Sequence, residues 1–205
     1  HLLERMAADM DIIFVEEPIG YSDDESGTAH TFIPYPRITV VQPRTAMGDF
    51  EALTKILYTY TNLDLQMKPI LWFYSPSFIP MTTLLPYSVV VYDCMDELTQ
   101  FKGAPPELLT NERQLLSTAQ VVFTGGRSLY ESKRKHHKNV YCFPSSVDQK
   151  HFTKAQKAST KIPSDLAGIA GKIVGFYGVI DERLDLELLK ETAQLLPHIN
   201  FVMIG

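Results

Sequence analysis

Short apolar runs and amphipathic segments alternate along this 205-residue chain. The connections between successive apolar runs are too long for hairpin turns, so consecutive strands are expected to be parallel and joined by right-handed crossovers. Strands are predicted at residues 11–16, 37–42, 69–74 and 88–92, and helices at residues 1–9, 50–61, 78–85 and 106–119. This order predicts an α/β fold whose first domain is built on a Rossmann-like parallel sheet.

A further strand-helix-strand pattern occupies residues 171–205. An apolar run at residues 173–177 ends at Gly178, a charged turn follows, and Asp185 is placed to cap a helix. Residues 200–205 are apolar again. We therefore predict one βαβ unit with a buried first strand, the start of a second Rossmann-like domain. The loop after Gly178 would lie near a helix N-terminus, where an anionic ligand binds favourably.

The predicted domain boundary lies in a polar stretch. Residues 143–170 contain Pro144, Pro163 and Gly168 among several Ser, Thr and Lys, a composition typical of an interdomain linker. We predict a first domain over residues 1–145, a linker over 146–170 and the beginning of a second domain from residue 171.

Composition limits the classes of partner and compartment. The net charge of -5 argues against nucleic acid as a partner, because binding phosphates at scale needs a basic face. Cys94 and Cys142 are the two cysteines, so neither a disulfide framework nor a C-x-x-C metal site is predicted, and a reducing cytoplasm fits best. Apolar runs stay below the length of about 18 residues that spans a bilayer.

The stretch from residue 18 to residue 36 is predicted to be a mobile surface loop or a hairpin. It combines Gly20, Gly27, Pro34 and Pro36 with an acidic run at residues 23–25.

The third predicted strand contains an aromatic run, Trp72, Phe73 and Tyr74. These side chains are expected to fill the core, or to stack on a ligand ring where one lies at the strand end.

Four segments carry a family resemblance. The first is the strand and linker at residues 139–148, with Val147-Asp148 followed by Phe152. The second is the strand, loop and helix at residues 119–129, and the third is the loop from Gly178 to Asp185. Taken in chain order, residues 119–129, 139–148 and 178–185 resemble the corresponding parts of GT-B glycosyltransferases. The Tyr-Asp-x-x-Asp pattern at residues 92–96 resembles family 4-like members that build bacterial surface polysaccharides, including teichuronic acid type transferases.

The resemblance implies a glycosyltransferase of hexosyltransferase type. Its GT-B fold would move a sugar from a nucleotide-sugar donor to a cell-surface polysaccharide or a lipid-linked glycan, without a metal or other cofactor, in a cleft between two domains. The protein is expected to be cytoplasmic and peripheral to the inner face of the cytoplasmic membrane. We also expect a portion of a larger enzyme, weakly active or inactive by itself, because a helix is already under way at residue 1 and the chain stops after a strand.

Two carboxylates after the fourth predicted strand are the candidate acceptor-side groups. Asp93 and Asp96 should project from a carboxyl end, where a carboxylate can accept a sugar hydroxyl's hydrogen bond or proton. The resemblance assigns catalysis to Asp93 and acceptor binding to Asp96 and Tyr92. In an inverting mechanism Asp93 would be the general base, and in a retaining one it would orient sugar. The alternative is that one aspartate caps the next turn.

The candidate donor-side residues lie on two loops. Arg183, beside Gly178, could neutralise a diphosphate leaving group together with free backbone N–H groups, or form an ion pair with Asp181, Glu182 or Asp185. Gly178 permits close backbone approach, or is a simple strand-ending turn.

The second donor-side loop contains Gly125 and Arg127 and opens a helix after a strand. It lacks the spacing of a P-loop, and hydroxyl capping and tight packing are its alternative explanation. The basic run at residues 133–138 is expected to be a solvated face, or to attract an anionic membrane.

Two other kinds of function remain open at this point. The chain could be a non-catalytic sugar- or nucleotide-binding module of the same fold in a polysaccharide assembly complex. An unrelated Rossmann enzyme, such as an epimerase or dehydrogenase, is disfavoured because no predicted strand is followed by G-x-G-x-x-G.

Overall fold

The computed structural model describes residues 2–20 and 22–205 of the chain. It divides into two compact units, one ending at Ser146 and the other running from Val147 to Gly205.

The first unit begins with a small mixed sheet. Its elements are α1 (Leu2–Met6), β1 (Ile12–Val15), β2 (Thr28–Tyr35) and β3 (Ile38–Arg44). The strand order is β1-β3-β2, with β1 parallel and β2 antiparallel to the central strand β3. The expectation of parallel strands throughout is therefore wrong for β2, and of the two alternatives for residues 18–36 the hairpin is correct.

The hairpin between β2 and β3 is closed by a two-residue turn that the sequence pattern did not reveal. Tyr35 pairs with Ile38, and Arg37 between them has a left-handed backbone with φ of 66°. The Arg37 side chain holds this conformation by donating from Nε to Asp11 Oδ1 at 2.9 Å and from Nη1 to the carbonyl of Ala8 at 3.1 Å. A turn this short returns the chain antiparallel.

The larger sheet of the first unit is entirely parallel. Its elements are α2 (Phe50–Tyr60), β4 (Ile70–Phe73), α3 (Met81–Leu84), β5 (Val89–Cys94), α4 (Glu107–Thr118), β6 (Val121–Thr124), α5 (Arg127–Lys133) and β7 (Val140–Cys142). The strand order is β4-β5-β6-β7, and all three pairings are parallel. Mixed α/β structure with this parallel sheet fits a Rossmann-like fold.

The main core lies on one face of this sheet. Val90, Tyr92 and Cys94 alternate along β5 and are at most 1% exposed, as is Val122 on β6. The helices contribute Leu53, Ile56, Leu57, Leu115 and Leu116 to the same cluster. Each fully buried aliphatic side chain of this kind stabilises the fold by about 1.5–3 kcal/mol, so this face fixes the position of β5.

The second unit contains one βαβ unit, as predicted. Its elements are α6 (Gln149–Phe152), α7 (Ser164–Ala167), β8 (Lys172–Tyr177), α8 (Leu186–Leu195) and β9 (Ile199–Ile204), with β8 and β9 parallel. Asp185 caps α8 by accepting a hydrogen bond from the Leu188 N–H at 2.9 Å.

The expectation that β8 is buried is wrong. The exposed fractions of Val174 and Tyr177 are 49% and 77%. Their exposure has a simple reason: within the described residues this sheet has two strands, and α8 is the helix of the crossover.

No helix among residues 2–20 and 22–205 is both long and apolar enough to cross a membrane.

Candidate functional site

The carboxyl edge of the four-stranded sheet brings together one row of side chains from neighbouring strands. Asp93 on β5 pairs in register with Phe123 on β6, which pairs with Tyr141 on β7. Tyr74 directly follows β4 on the same face, because it lies two residues beyond Trp72. Ligands of parallel α/β sheets bind at this edge, so we take the row around Asp93 as the candidate site.

Asp93 lies inside a strand and not after one. β5 was predicted to end at residue 92 but continues through Cys94, because the ladder with β6 extends to that residue. The Asp93 side chain is 5% exposed and its Oδ2 accepts a hydrogen bond from Trp72 Nε1 at 3.2 Å. The capping alternative for Asp93 therefore does not hold, since its carboxylate lies within β5 and accepts a hydrogen bond from a side chain on the neighbouring strand.

Burial changes the proton affinity of this row. It raises the pKa of the Asp93 carboxyl, and the hydrogen bond from Trp72 only partly opposes that rise. The pKa of the Tyr74 hydroxyl is also raised, first by burial and then by the negative charge of Asp93. A carboxylate with a raised pKa takes up a proton more readily than a surface carboxylate, which is the property required of a general base.

Aromatic rings form a wall beside this carboxylate. Phe123 lies with its ring centroid 5.4 Å from that of Trp72 and 5.4 Å from that of Phe143. Tyr141 and Phe143 are 52% and 63% exposed, whereas Phe73, which faces the other way, is 7% exposed and belongs to the core. Within the aromatic run at residues 72–74, Phe73 therefore fills the core as expected, and stacking of a ring on a ligand stays a prediction. Exposed rings next to a carboxylate offer an apolar surface and a polar anchor together.

Tyr92 and Asp96 lie differently from Asp93. Tyr92 points into the core, is 1% exposed, and donates its hydroxyl hydrogen to Glu112 Oε1 at 2.8 Å. Its side chain is on the opposite face of β5 from Asp93, so we no longer include it in the acceptor site. Asp96 is exposed on the loop after β5, where its carbonyl accepts a hydrogen bond from Cys94 Sγ at 3.5 Å.

The loop at Gly125 packs tightly against the loop after β5. The Gly125 N–H donates to the Cys94 carbonyl at 3.0 Å, and a Cβ at Gly125 would lie 3.0 Å from Met95 Cε and 3.2 Å from the Met95 carbonyl oxygen. Tight packing is therefore present. Hydroxyl capping is not, because Gly126 is the N-cap residue of α5 and the helix has no side-chain cap.

Arg127 occupies the first position of α5. Its side chain is 89% exposed and lies 3.8 Å from Glu131, measured between Nη2 and Oε1. A guanidinium this exposed and this loosely paired can reach a ligand near the carboxyl edge.

The basic run at residues 133–138 was expected to be a solvated face. Lys133 is an exception, because its side chain is buried. It is the last residue of α5 and is 3% exposed, with Nζ 2.5 Å from Glu97 Oε1 and 2.7 Å from Glu112 Oε1. Sequence reasoning missed this buried ion cluster, because neither acidic residue is near Lys133 in the chain.

In the second unit, the candidate donor loop follows β8. Gly178 has φ of +149° and its N–H donates to the Ile204 carbonyl at 3.0 Å, so the loop is tied to the end of β9. A side chain would be strained there. This geometry is that of a strand-ending turn.

Arg183 forms the ion pair that was its alternative explanation. Its Nε and Nη2 bind the two oxygens of Asp181 at 3.0 Å and 2.7 Å, and the side chain is 62% exposed. The Arg183 side chain and its backbone N–H lower the pKa of the Asp181 carboxyl by hydrogen bonding. Asp181 thereby holds the guanidinium on the loop that precedes α8.

The structure assembles two groups of the candidate residues, one in each unit. Asp93, Asp96, Gly125 and Arg127 lie at or near the carboxyl edge of the larger sheet. Gly178 and Arg183 lie on the loop between β8 and α8. Among the side chains that the structure describes, no three or more His, Cys, Asp or Glu are grouped so as to hold a metal ion.

Comparison with known proteins gives one informative relative. No protein-family model matches the chain. The chain is 26% identical over 148 residues to a protein of Bacillus subtilis (strain 168) named "Putative teichuronic acid biosynthesis glycosyltransferase TuaH". The match covers 66% of the chain and 37% of the relative, so the chain spans well under half of that protein. This similarity supports a glycosyltransferase-like protein.

Proposed function

We propose that this chain belongs to a GT-B glycosyltransferase, family 4-like, which transfers a sugar from a nucleotide-sugar donor to a cell-surface polysaccharide or lipid-linked glycan. The observation that carries the proposal is Asp93, a buried carboxylate with a raised pKa at the carboxyl edge of a parallel sheet, beside an aromatic wall. The similarity to a protein named as a glycosyltransferase supports the same class.

In the proposed reaction, a hydroxyl oxygen of the acceptor attacks the anomeric carbon of the donor sugar. The bond from that carbon to the diphosphate oxygen breaks, and its electron pair leaves with the nucleoside diphosphate. In the inverting case the hydroxyl proton passes to Asp93, whose raised pKa favours its uptake. In the retaining case Asp93 positions the sugar. Asp96, exposed on the adjacent loop, would bind an acceptor hydroxyl.

The donor side is proposed to use positive charge and backbone N–H groups. Arg183 lies two residues before Asp185, the N-cap residue of α8, and the dipole of this ten-residue helix favours an anion at its N-terminus. Gly178 is proposed to let the diphosphate approach the backbone, because it carries no side chain. Gly125 and Arg127 are proposed as the donor-side residues of the first unit. The Arg183 guanidinium and the N-terminus of α8 would stabilise the departing diphosphate without a bound metal.

Calorimetric titration of the full-length protein with UDP-, GDP- and ADP-sugars tests the donor class. Saturable binding of one of them supports the proposal and identifies the base. No binding of any of the three would contradict it. Binding without turnover, in the presence of a glycan acceptor, would instead favour a non-catalytic module of the same fold.

An Asp93→Asn variant of the full-length protein tests the chemical role. We expect turnover to fall about 10²- to 10⁴-fold, the usual contribution of a general base, while donor affinity is unchanged. Asp9→Asn is the matched control, because Asp9 is exposed and lies before β1. Unchanged turnover with a raised acceptor KM would assign Asp93 to positioning, and wild-type kinetics would remove it from the site.

A further inference from the structure

A buried ion cluster lies behind the loop that follows β5. Lys133 Nζ contacts both Glu97 Oε1, at 2.5 Å, and Glu112 Oε1, at 2.7 Å, and the Tyr92 hydroxyl donates to the same Glu112 oxygen. Thr99 Oγ1 also donates to Glu97 Oε1, at 3.3 Å. Three elements thus converge on one ammonium group: the loop after β5, α4 and the end of α5.

The ammonium group remains charged in this environment. Burial by itself lowers the pKa of Lys133, but the hydrogen bonds to Glu112 and Glu97 outweigh it, and the pKa lies above its usual value. The Lys133 and Glu112 side chains are 4% and 7% exposed, whereas that of Glu97 is 23% exposed. Lys133 is paired with two carboxylates, so removing Lys133 would leave the buried Glu112 charge without its partner, whereas removing Glu97 would leave the Lys133–Glu112 pair.

The cluster binds both ends of the segment that carries the candidate acceptor carboxylates. Tyr92 precedes Asp93 and is held through Glu112, and Glu97 follows Asp96 and is held directly by Lys133. The four residues between these two anchors contain both aspartates. Their backbone path is therefore set by side chains that point away from the candidate site, into the interior.

We propose that Lys133 is a positioning residue, which clamps the loop after β5 through Glu97 and thereby holds Asp96 and the end of β5 in the geometry that the acceptor requires. This inference rests on the proposed function for its catalytic consequence. The proposal that Lys133 holds the loop through Glu97 rests on the distances and burial alone. Lys133 does not touch substrate, and it acts through Glu97.

Glu97→Ala in the full-length protein separates this role from a purely structural one. The variant keeps the Lys133–Glu112 pair and the Tyr92 hydrogen bond, so it is expected to fold, but it releases the loop. Because a displacement of about 1 Å in a reacting group costs up to about 100-fold in rate, we expect kcat to fall about 10- to 100-fold, with the acceptor KM raised and donor affinity unchanged.

Glu97→Gln is the conservative variant and Glu51→Ala the control. A glutamine oxygen still accepts a hydrogen bond from Lys133, so Glu97→Gln should recover part of the lost turnover. Glu51 is exposed in the first turn of α2, and its removal should change neither constant. A drop in melting temperature with unchanged kinetics well below that temperature would show a structural role alone and would overturn the proposal.

Hydrogen exchange distinguishes failure of the clamp from failure of the proposed function. Amide exchange in residues 95–100 should accelerate in Glu97→Ala relative to the wild type and Glu51→Ala, whether or not turnover is detectable. Wild-type rates in this segment would overturn the clamp. If the wild-type protein binds no nucleotide-sugar but exchange is faster in Glu97→Ala, the proposed function is overturned. The role of Lys133 and Glu97 in holding the loop is then still supported.

Discussion

Trp72 donates a hydrogen bond from its indole Nε1 to Oδ2 of Asp93 at 3.2 Å, across the neighbouring parallel strands β4 and β5. The Trp72 ring also packs on Phe123. Its N–H group thus gives a polar contact to the Asp93 carboxylate, which is 5% exposed. The bond favours the charged form of Asp93, against the desolvation that raises its pKa. Trp72 is therefore the residue through which the proton affinity of Asp93 can be adjusted without changing Asp93 itself.

Trp72→Phe should shift the pH dependence of the reaction. The substitution keeps an aromatic ring but removes the N–H donor, so the pKa of Asp93 rises further and the carboxylate forms only at higher pH. If Asp93 is the general base, the acidic limb of the profile of kcat/KM against pH moves to higher pH. Tyr141→Phe, on the same face, should leave that limb in place. An acidic limb that does not move in Trp72→Phe would show that Asp93 does not set it.

Asp93→Asn should change the pH dependence of stability in a defined direction. Because folding raises the pKa of Asp93, the carboxyl's contribution to stability is fully present below the pH at which an unfolded aspartate titrates, about 3.9, and is lost as pH rises through the folded pKa. The asparagine variant has no titrating group at this position, so its stability does not fall with pH for this reason. Its melting temperature relative to the wild type should therefore increase as the pH rises above about 4 and through the range in which the folded carboxyl titrates. A constant difference across that range would contradict the raised pKa.

Local patterns of sequence were sufficient for much of the fold. Apolar runs and helical spacing located β4 and β5 of the parallel sheet and the βαβ unit at residues 172–204, and the Asp185 cap was predicted from residue type and position. The segments of β6 and β7 were identified from the family resemblance. They did not reveal β2, because its pairing depends on Arg37 adopting a left-handed backbone held by Asp11 and the Ala8 carbonyl. Such contacts join residues 26 and 29 positions apart.

The candidate site could be predicted only in part for the same reason. Asp93 was identified from its place near a strand end, but its partner Trp72 lies 21 positions away, and nothing in either segment specifies the bond. The Lys133 cluster joins residues separated by 36 positions, and in the sequence Lys133 looks like any member of a basic run. Side-chain burial on a particular face of a sheet depends on which strands are neighbours, which is a property of the topology.

Gly125→Ala should destabilise the first unit more than Gly126→Ala, which loses only the N-cap preference of glycine over alanine. A Cβ at Gly125 would lie 3.0 Å from Met95 Cε and 3.2 and 3.3 Å from the Met95 carbonyl oxygen and Cα, so backbone as well as side chain must move. Overpacking of this kind costs about 1–3 kcal/mol. The neighbouring Gly126 has no atom within 4 Å of its hypothetical Cβ. Urea unfolding of the two variants measures the difference, and equal midpoints would mean that the Met95 loop yields freely.

Arg183→Ala should weaken binding of nucleoside diphosphates by the full-length protein. A guanidinium pairing with a diphosphate contributes about 1.5–3 kcal/mol, which corresponds to a rise in Kd of about 10- to 100-fold. Lys190→Ala is the matched control, because Lys190 is also 62% exposed, is also paired with one acidic residue, and lies beyond the first turn of α8. Calorimetry with UDP, GDP and ADP measures both variants. Since Asp181 already binds the guanidinium, an unchanged Kd in Arg183→Ala would mean that this ion pair is the residue's entire role and would remove Arg183 from the donor site.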